Sequence, residues 1–393
     1  MKKVYYLGYY GDPSPQSNRK TTPAADTKMA YIIESLKKIG YDVEVLSFCA
    51  DEDRKVFLKK RNGYKIVRNN IPVVFFDNYT SKYRILRVIG RWLSWIKIKK
   101  YLKLHCMNND CNILIYHSLG LLKVLNFFNK KKKPFILEME EIYADVMEKR
   151  RIRIKEINVA QKAAGYIFPT QLLGEIINPN GKPEVIIYGT YGVEQDRQCN
   201  IFNQNLQIDS NRIIHCVYAG TLDPRKGGAE AAVKATEFLP EDYHVHILGF
   251  GTKTDVQNIK KQIEEIAERS KAKISYDGVL SGEEYIRFIQ SCDIGLSTQN
   301  PNAVFNGTSF PSKILSYMAN GVQVVSIRIP VVERSAVGRY IHYYDRQIPE
   351  EIAEAIMSVS VFDKYIGRKV ISELDIKFSQ ELEIMLDGDS MIL

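Results

Sequence analysis

The sequence predicts an α/β protein made of two Rossmann-like domains. Its 393 residues exceed what one hydrophobic core usually organises. Short apolar runs alternate with helical patterns twice along the chain, which is typical of parallel, helix-covered sheets. The hydrophobic fraction of 45% and the aromatic fraction of 11% are those of a folded globular protein. We therefore expect an N-terminal domain over residues 1–190 and a second domain over residues 191–360.

The elements of the first domain begin with an apolar run at residues 4–8, which we interpret as a strand. Residues 27–40 then carry apolar side chains at helical spacing and end at Gly40. The further strands are predicted at 41–48, 73–76, 112–117, 134–139, 164–169 and 184–188, with a helix at 119–128. The polar segment 188–212 is the predicted interdomain linker.

The second domain repeats the alternation. Its predicted strands are 213–219, 243–248, 273–276, 294–297 and 322–327, and its predicted helices are 227–238, 255–270, 282–291, 312–320 and 350–359. Ligands of open α/β sheets bind at the carboxyl ends of the strands. We therefore expect the binding site in a cleft between the two domains.

Charge is distributed unevenly between the two halves. Residues 1–190 hold 34 Lys and Arg against 18 Asp and Glu, whereas residues 191–393 hold 21 against 28. The resulting charges, +16 and −7, predict a basic first domain suited to nucleic acid, anionic lipid or a phosphorylated acceptor. We set nucleic acid aside because it would leave the phosphate-binding motifs described next without a role. NAD binding is not expected, since no GxGxxG follows the first strand.

The six cysteines show no CxxC or other metal-ligand spacing. We interpret all six as reduced thiols of a cytosolic protein. The N-terminus has the pattern of a strand instead of a signal peptide, and no apolar run reaches the roughly 18 residues of a membrane span.

Residues 218–227 (YAGTLDPRKG) form the first motif of chemical interest. A strand ends in a turn containing Gly220, two cations follow, and a helix begins. Glycine permits close approach of a ligand, and Arg225 and Lys226 can neutralise a diphosphate together with the N–H groups of the helix. The alternative is a surface turn with a solvated basic pair.

Residues 310–321 (FPSKILSYMANG) form the second motif. Ser312 is a candidate N-cap, Lys313 follows where a phosphate would lie, and Gly321 ends the helix. The alternative is a capped helix without a ligand.

Together the two motifs resemble the retaining glycosyltransferases of family 4, which have the GT-B fold. The same resemblance, over about residues 213–327, includes LGFG at 248–251, DGV at 277–279 and SCDIGLS at 291–297. It implies two Rossmann-like domains facing across a cleft, with residues 361–393 packing back on the first domain. It also implies transfer of a sugar from a UDP- or GDP-linked donor with retention, with no metal or other cofactor, because the cation pair and a helix dipole stabilise the departing diphosphate.

The resemblance assigns Arg225 and Lys226 to the pyrophosphate. The donor-binding residues that it implies are Gly220, Leu248, Gly249, Gly278, Val279, Thr308, Ser309, Ser312, Lys313 and Ser316. One departure stands out: two family glutamates, eight positions apart, are replaced by Thr308 and Ser316. Ser316 would bond a ribose more weakly than a carboxylate would.

The loop at residues 8–20 follows the first strand, and its acceptor-site or phosphate candidates are Gly11, Arg19 and Lys20. The alternative is a surface loop.

Residues 138–141 (EMEE) end another strand. Glu140 or Glu141 is a candidate to orient the acceptor hydroxyl or accept its proton. The alternative is a pair of carboxylates that complement a helix dipole. His117, which ends the preceding strand, is a further catalytic candidate.

Residues 82–103 carry eight cations and no acid, interleaved with apolar residues that include Trp92 and Trp95. This pattern favours docking on an anionic membrane surface, with residues 130–133 as a second basic patch. The alternative is a core-packing helix with a solvated basic face.

These observations predict a cytoplasmic glycosyltransferase, peripheral on the inner face of the membrane, that uses a nucleotide sugar and a saccharide acceptor, lipid-linked, in cell-surface polysaccharide synthesis. The main alternative is a catalytically silent GT-B subunit that binds an acceptor or a partner transferase. A nucleotide-sugar epimerase is a further alternative, from which more carboxylates near the donor would be expected.

Overall fold

A computed structural model describes residues 2–20, 23–51, 55–108, 110–147, 149–195, 212–361 and 366–387. The chain divides into two compact units: Met1–Thr190 with Lys377–Leu393, and Tyr191–Ile376. Most of the predicted linker, residues 196–211, lies outside the described residues, as does Cys199.

The described strands of the first unit are β1 (Lys3–Gly8), β2 (Arg19–Lys20), β3 (Asp42–Ser47), β4 (Ala50–Asp51), β5 (Lys59–Arg61), β6 (Tyr64–Arg68), β7 (Ile71–Phe75), β8 (Asn78–Thr80), β9 (Cys111–Tyr116), β10 (Ile136–Glu138), β11 (Gly165–Phe168) and β12 (Glu184–Ile186). Its helices are α1 (Pro23–Lys38), α2 (Arg84–His105), α3 (Leu122–Lys131), α4 (Tyr143–Val146), α5 (Arg150–Ala160) and α6 (Gln171–Ile177).

The main sheet of this unit has the order β12-β11-β10-β9-β1-β3-β7-β6. Its neighbours pair in parallel except β6, which is antiparallel to β7 at the edge. Central strands such as β1 and β9 are buried almost throughout, which explains their continuous apolar runs. β6 was not predicted, because its half-exposed polar sequence lacks such a run.

The second unit contains β13 (Ile214–Thr221), β14 (Tyr243–Phe250), β15 (Lys273–Gly278), β16 (Ile294–Ser297), β17 (Gln323–Ile327) and β18 (His342–Tyr344). Its helices are α7 (Gly228–Ala235), α8 (Lys253–Ala267), α9 (Gly282–Gln290), α10 (Lys313–Ala319), α11 (Pro330–Glu333) and α12 (Pro349–Met357). A last helix, α13 (Gly367–Asp387), begins in this unit and ends in the first.

All strands of the second sheet pair in parallel, in the order β15-β14-β13-β16-β17-β18. The chain moves outward from β13 to β15 and then returns to the other side of β13. The carboxyl end of β13 is therefore the topological switch point, where α/β sheets bind ligands. Every strand and helix predicted from the sequence overlaps an observed element.

Two glycines permit close packing beside this switch point. A Cβ at Gly249 would lie 2.0 Å from the carbonyl oxygen of Gly220, and a Cβ at Gly295 would lie 2.3 Å from the ring of Tyr317. The Tyr317 hydroxyl accepts a hydrogen bond of 2.9 Å from the Ala219 N–H. These contacts fix the last residues of β13 against their neighbours.

Residues of α13 from Lys377 onward pack within the first unit. The rings of Phe378 and Tyr31 lie 5.7 Å apart, and the Asp387 carboxylate accepts hydrogen bonds from the Tyr41 hydroxyl and the Lys2 ammonium.

The five cysteines in the described part of the chain form no disulfide. Among the helices that the structure describes, none combines the length and apolar character that crossing a bilayer requires.

Candidate functional site

Lys313, the first residue of α10, lies at the carboxyl end of β13. Its Nζ is 3.8 Å from the ring centre of Tyr218. An ideal Cβ built on Gly220 would lie only 3.1 Å from that Nζ. The glycine therefore leaves the room in which the ammonium sits, and the aromatic face stabilises its charge.

A second cation, Lys226, affects the pKa of the Lys313 ammonium. Desolvation and the charge of Lys226 lower the pKa of Lys313 to about 7. The Lys226 backbone is held in place: its N–H donates to the Asp223 carbonyl at 3.0 Å, and its carbonyl accepts from the Asn300 N–H at 2.8 Å. The predicted residues Gly220, Lys226 and Lys313 are thus brought together, and a bound anion would relieve the repulsion between the two ammonium groups.

Arg225 is exposed over 90% of its side chain and already has a carboxylate partner. Its Nη2 lies 2.7 Å from Asp223 Oδ2, and its Nε lies 3.1 Å from Asp223 Oδ1. Hydrogen bonds from Arg225 lower the pKa of Asp223 to about 2. A diphosphate would have to compete with Asp223 for this guanidinium. The sequence analysis did not assign Asp223 as a partner of Arg225.

The turn that carries both cations leads into α7. Gly227, the residue before the helix, has φ 63°, a left-handed conformation that favours glycine. The Thr298 hydroxyl donates to the Gly228 carbonyl at 2.7 Å. A depression of about 860 Å³ adjoins this turn, lined by Thr221, Asp223, Pro224, Arg225, Lys226, Phe250, Gly251, Thr252 and Asp255.

Four other predicted donor residues lie on β14 and β15 or directly after β15. Leu248 is buried and Gly249 packs against the Gly220 carbonyl, so both are explained by sheet packing. Gly278 ends β15 with φ 81°, and Val279 after it is exposed. The turn is therefore exposed at Val279, and the predicted contact of Gly278 and Val279 with the donor stays a prediction.

The serines of the second motif have surroundings that the sequence did not show. Ser312 occupies the N-cap position of α10, as predicted, but its side chain makes no capping hydrogen bond. Ser316 Oγ lies 3.3 Å from the hydroxyl of Tyr285, an interaction the sequence analysis missed. Thr308 and Ser309 are half-buried in the segment before α10.

In the first unit, the loop after β1 is tied to α1 and β6. The Gly11 N–H donates to Asp26 at 2.7 Å, and the Gly11 carbonyl accepts from Arg68 at 2.9 Å. Arg68 also forms a bidentate pair with Asp26, at 2.8 and 2.7 Å. This loop is therefore anchored, and the predicted alternative of an unattached surface loop is wrong at Gly11.

Arg19 is buried, with its guanidinium occupied by protein acceptors. It donates to the carbonyls of Cys49 at 3.0 Å and Asn62 at 2.9 Å and lies over the ring of Tyr64. Its structural role is to hold the loop against the sheet. The side chain of Lys20 lies outside the described residues.

The carboxylates at the end of β10 form a polar cluster. Glu138 is fully buried and accepts a hydrogen bond from Tyr6. Desolvation and the nearby Glu140 raise the pKa of Glu138 to about 8. Glu140 is only partly buried and pairs with the Lys28 ammonium at 3.3 Å. Glu140 remains a candidate for acceptor contact, and Glu141 beside it is half-buried. The raised pKa of Glu138 was missed by the sequence analysis.

His117 is an interior residue. Its Nε2 lies 2.7 Å from the carboxylate of Glu156, and both side chains are fully buried. Glu156 also accepts the N–H groups of Tyr143 and Ala144, each at 2.9 Å, at the start of α4. The predicted catalytic role of His117 is therefore wrong, because its ring is enclosed by the protein that it supports.

The first unit also contains a cavity of about 590 Å³ beyond the carboxyl ends of β3 and β7. One wall is the face of α2 that carries Arg87, Arg91 and Trp95. The lining includes the aromatic residues Tyr9, Phe48, Phe76 and Tyr79 and the further cations Arg19 and Lys123. Aromatic faces and cations together suit a saccharide that bears an anionic group.

The opposite face of α2 is an exposed apolar stripe. Its residues recur at i, i+4, i+7 and i+11, which places them on one side of a helix. The exposed fractions are 74% at Ile85, 48% at Ile89, 60% at Trp92 and 46% at Ile96. The buried residues of α2 are Gly90, Ile98 and Leu102, so the predicted alternative of a core-packing helix is wrong for this stripe.

No family model matches the chain, and no curated protein matches it. Solved structures do resemble it. HepE from Anabaena, in complex with UDP and glucose, superimposes with a TM-score of 0.64 at 15% identity, over 99% of this chain and 100% of that one. A UDP-forming α,α-trehalose-phosphate synthase from Burkholderia xenovorans gives 0.65 at 9%, over 100% and 99%. Sucrose-phosphate synthase from Thermosynechococcus elongatus gives 0.63 at 11%, over 97% of each chain.

These similarities span essentially the whole chain. At sequence identities of 9–15% they establish the fold and nothing more. They confirm the predicted fold class: the protein is an α/β protein with the GT-B fold of nucleotide-sugar glycosyltransferases.

Proposed function

We propose that this protein is a retaining glycosyltransferase that moves a sugar from a nucleotide diphosphate sugar to an anionic, lipid-linked saccharide in polysaccharide assembly. The observation that carries the proposal is the pair Lys226 and Lys313 beside Gly220, at the switch point of the second sheet. The buried ammonium of Lys313 and the nearby exposed Lys226 carry charges complementary to the two phosphates of such a donor.

The donor is a UDP- or GDP-sugar. HepE, which has the same fold, is described in complex with UDP and glucose. The exposed turn at Gly278 and Val279 offers backbone groups to a base, and the depression beside Arg225 offers space for a ligand. In this proposal the diphosphate contacts Lys226 and Lys313. The Arg225 guanidinium releases the Asp223 carboxylate and binds a phosphate oxygen instead.

The departing diphosphate gains negative charge as the glycosidic bond breaks. Fixed cations at that position stabilise the transition state more than the ground state, which is the arrangement that accelerates such a reaction. Arg225, Lys226 and Lys313 supply this charge without a metal. Retention follows if the acceptor attacks from the side of the departing diphosphate.

In this proposal the acceptor binds to the first unit. The cavity behind α2 combines cations with aromatic faces, and the other face of the same helix exposes Ile85, Ile89, Trp92 and Ile96. An exposed apolar stripe on a cationic helix fits the interface of an anionic membrane. A lipid-linked saccharide would then reach the cavity along the helix that docks on the bilayer.

The silent-subunit alternative is favoured by one observation. Where the resembled family has two glutamates, this chain has Thr308 and Ser316, and Ser316 Oγ is within reach of Tyr285. A subunit of this kind would bind a nucleotide without turnover, so turnover separates the two functions.

Replacing both exposed cations of the first motif tests the donor site. The double variant Arg225→Ala, Lys226→Ala should lower turnover by about 100-fold or more, because it removes charge where the leaving diphosphate develops it. Turnover is measured as release of UDP or GDP from a panel of nucleotide sugars, with a cellular lipid extract as acceptor.

The matched control is Lys234→Ala, Arg269→Ala, which removes two cations of the same unit that pair with Glu230 and Glu237. Its turnover should stay within about twofold of wild type. Normal turnover in the Arg225/Lys226 variant would show that the donor lies elsewhere.

Lys313 should make UDP binding depend on pH. Its pKa of about 7 rises when a diphosphate is bound, so binding takes up a proton above pH 7. Between about pH 7.5 and 8.5, where the diphosphate of UDP is fully ionised, Kd should increase by up to about tenfold per pH unit. Calorimetric titration at several pH values measures this slope.

Lys313→Arg is the diagnostic variant, because arginine stays protonated and can stack on Tyr218. It should retain binding and lose most of the pH dependence, whereas Lys313→Met should bind weakly at every pH. A slope that persists in Lys313→Arg would place the titrating group elsewhere.

The α2 stripe should bind anionic bilayers. Ile85→Ser, Trp92→Ser should reduce cosedimentation with phosphatidylglycerol-containing vesicles by at least about tenfold, because two apolar contacts with the interface are lost. Folding should be unaffected, since both side chains are largely exposed.

The control Ile154→Ser, Ile176→Ser removes two exposed apolar residues from other helices of the same unit and should leave vesicle binding unchanged. Equal vesicle binding by the α2 variant and wild type, or no binding by wild type, would contradict membrane docking through this helix.

A further inference from the structure

Three histidines of the second unit lie together on one face of its sheet. His215 is on β13, and His244 and His246 are on β14. His215 is directly opposite His244 in the parallel register, and His246 follows two residues later, so all three side chains point to the same side. Five residues separate His215 from Gly220, which places this cluster about 16 Å along the strand from the donor turn.

The spacing of the ring nitrogens is that of metal ligands. One nitrogen from each ring lies within 4.8 Å of those of the other two. His215 Nδ1 and His246 Nε2 are 2.9 Å apart. Two imidazole nitrogens bound to one tetrahedral Zn²⁺, at 2.0–2.1 Å each, would be separated by about 3.4 Å. Binding of the ion would therefore require these two nitrogens to move apart by about 0.5 Å.

A carboxylate orients the central ring. Asp277 Oδ2 is 3.2 Å from His246 Nδ1 and accepts a hydrogen bond of 2.8 Å from the Ser275 hydroxyl. A proton held on His246 Nδ1 by Asp277 leaves Nε2 with its lone pair directed at His215. Histidines that bind metals are commonly oriented by an acidic partner in this way.

Burial lowers the basicity of two of the three histidines. Desolvation and the neighbouring histidines lower the pKa of His215 to about 3 and that of His244 to about 4. His215 and His246 are buried, and the ring of Phe288 packs on His246 at 5.2 Å. His244 is half-buried, which leaves one side of the cluster open for entry of an ion.

We propose that His215, His244 and His246 bind one zinc ion, which links β13 to β14. Neutral imidazole is a preferred ligand of Zn²⁺, and water would complete the tetrahedron on the half-buried side. This site is independent of the proposed transfer reaction, because none of its ligands lies at the donor turn.

Cobalt titration of the chelator-treated, full-length protein tests the site. One equivalent of Co²⁺ should produce the visible absorption of a four-coordinate ion, and Zn²⁺ should abolish it by displacement. Zn²⁺ should also raise the thermal unfolding midpoint of the wild-type protein. Absence of saturable Co²⁺ absorption in the wild-type protein would overturn the proposal.

His244→Asn is the first variant, because this half-buried ring is the one least needed for packing. It should weaken Co²⁺ binding by at least about 100-fold. Loss of a residue that only orients a metal ligand weakens metal binding by about 10–100-fold, and loss of a ligand itself should weaken it more. The control is His342→Asn, another half-buried histidine of the same sheet, 3.2 Å from Gln323, which should bind Co²⁺ as wild type does. Equal Co²⁺ affinity in His244→Asn and wild type would also overturn the proposal.

Discussion

The chemistry of the second unit depends on a lysine ammonium that is desolvated beside another lysine. Lys313 rests on the ring of Tyr218, in space that Gly220 leaves free, and Lys226 acts on it from the following turn. Two neighbouring cations repel each other, and a bound anion would relieve that repulsion. The close packing of Gly249 and of Tyr317 around β13 holds the end of this strand, beside which Lys313 lies, in place.

Sequence reasoning was sufficient for features that depend on local pattern. The central strands of both sheets carry continuous apolar runs, and their alternation with helices predicted two α/β units, whose GT-B fold is confirmed. The motif around Gly220 and Lys226 combines a strand end, a glycine and cations within ten residues, so its placement at the carboxyl end of a strand could be predicted from the sequence. The excess of cations and the absence of acids in α2 could also be read directly from the sequence.

Features that depend on contacts between distant residues could not be read in this way. His117 ends a strand, as a catalytic residue would, but its burial on Glu156 depends on a helix 39 residues later. Ser316 meets Tyr285 only in the folded unit. The three-histidine cluster joins two strands whose register no local spacing reveals. In the sequence, Glu138 cannot be distinguished from Glu140 and Glu141. Its raised pKa depends on burial beside Glu140 in the folded unit.

The central claim is that the second unit holds a nucleotide diphosphate at Lys226 and Lys313. Calorimetric titration of the wild-type protein with UDP and with GDP at about pH 7 tests it most directly. We expect one of the two nucleotides to bind with a micromolar Kd and one-to-one stoichiometry, and the corresponding nucleoside to bind far more weakly, because the diphosphate provides the charge that the lysines require. Absence of binding by both nucleotides, or equal binding of nucleoside and nucleotide, would contradict the account.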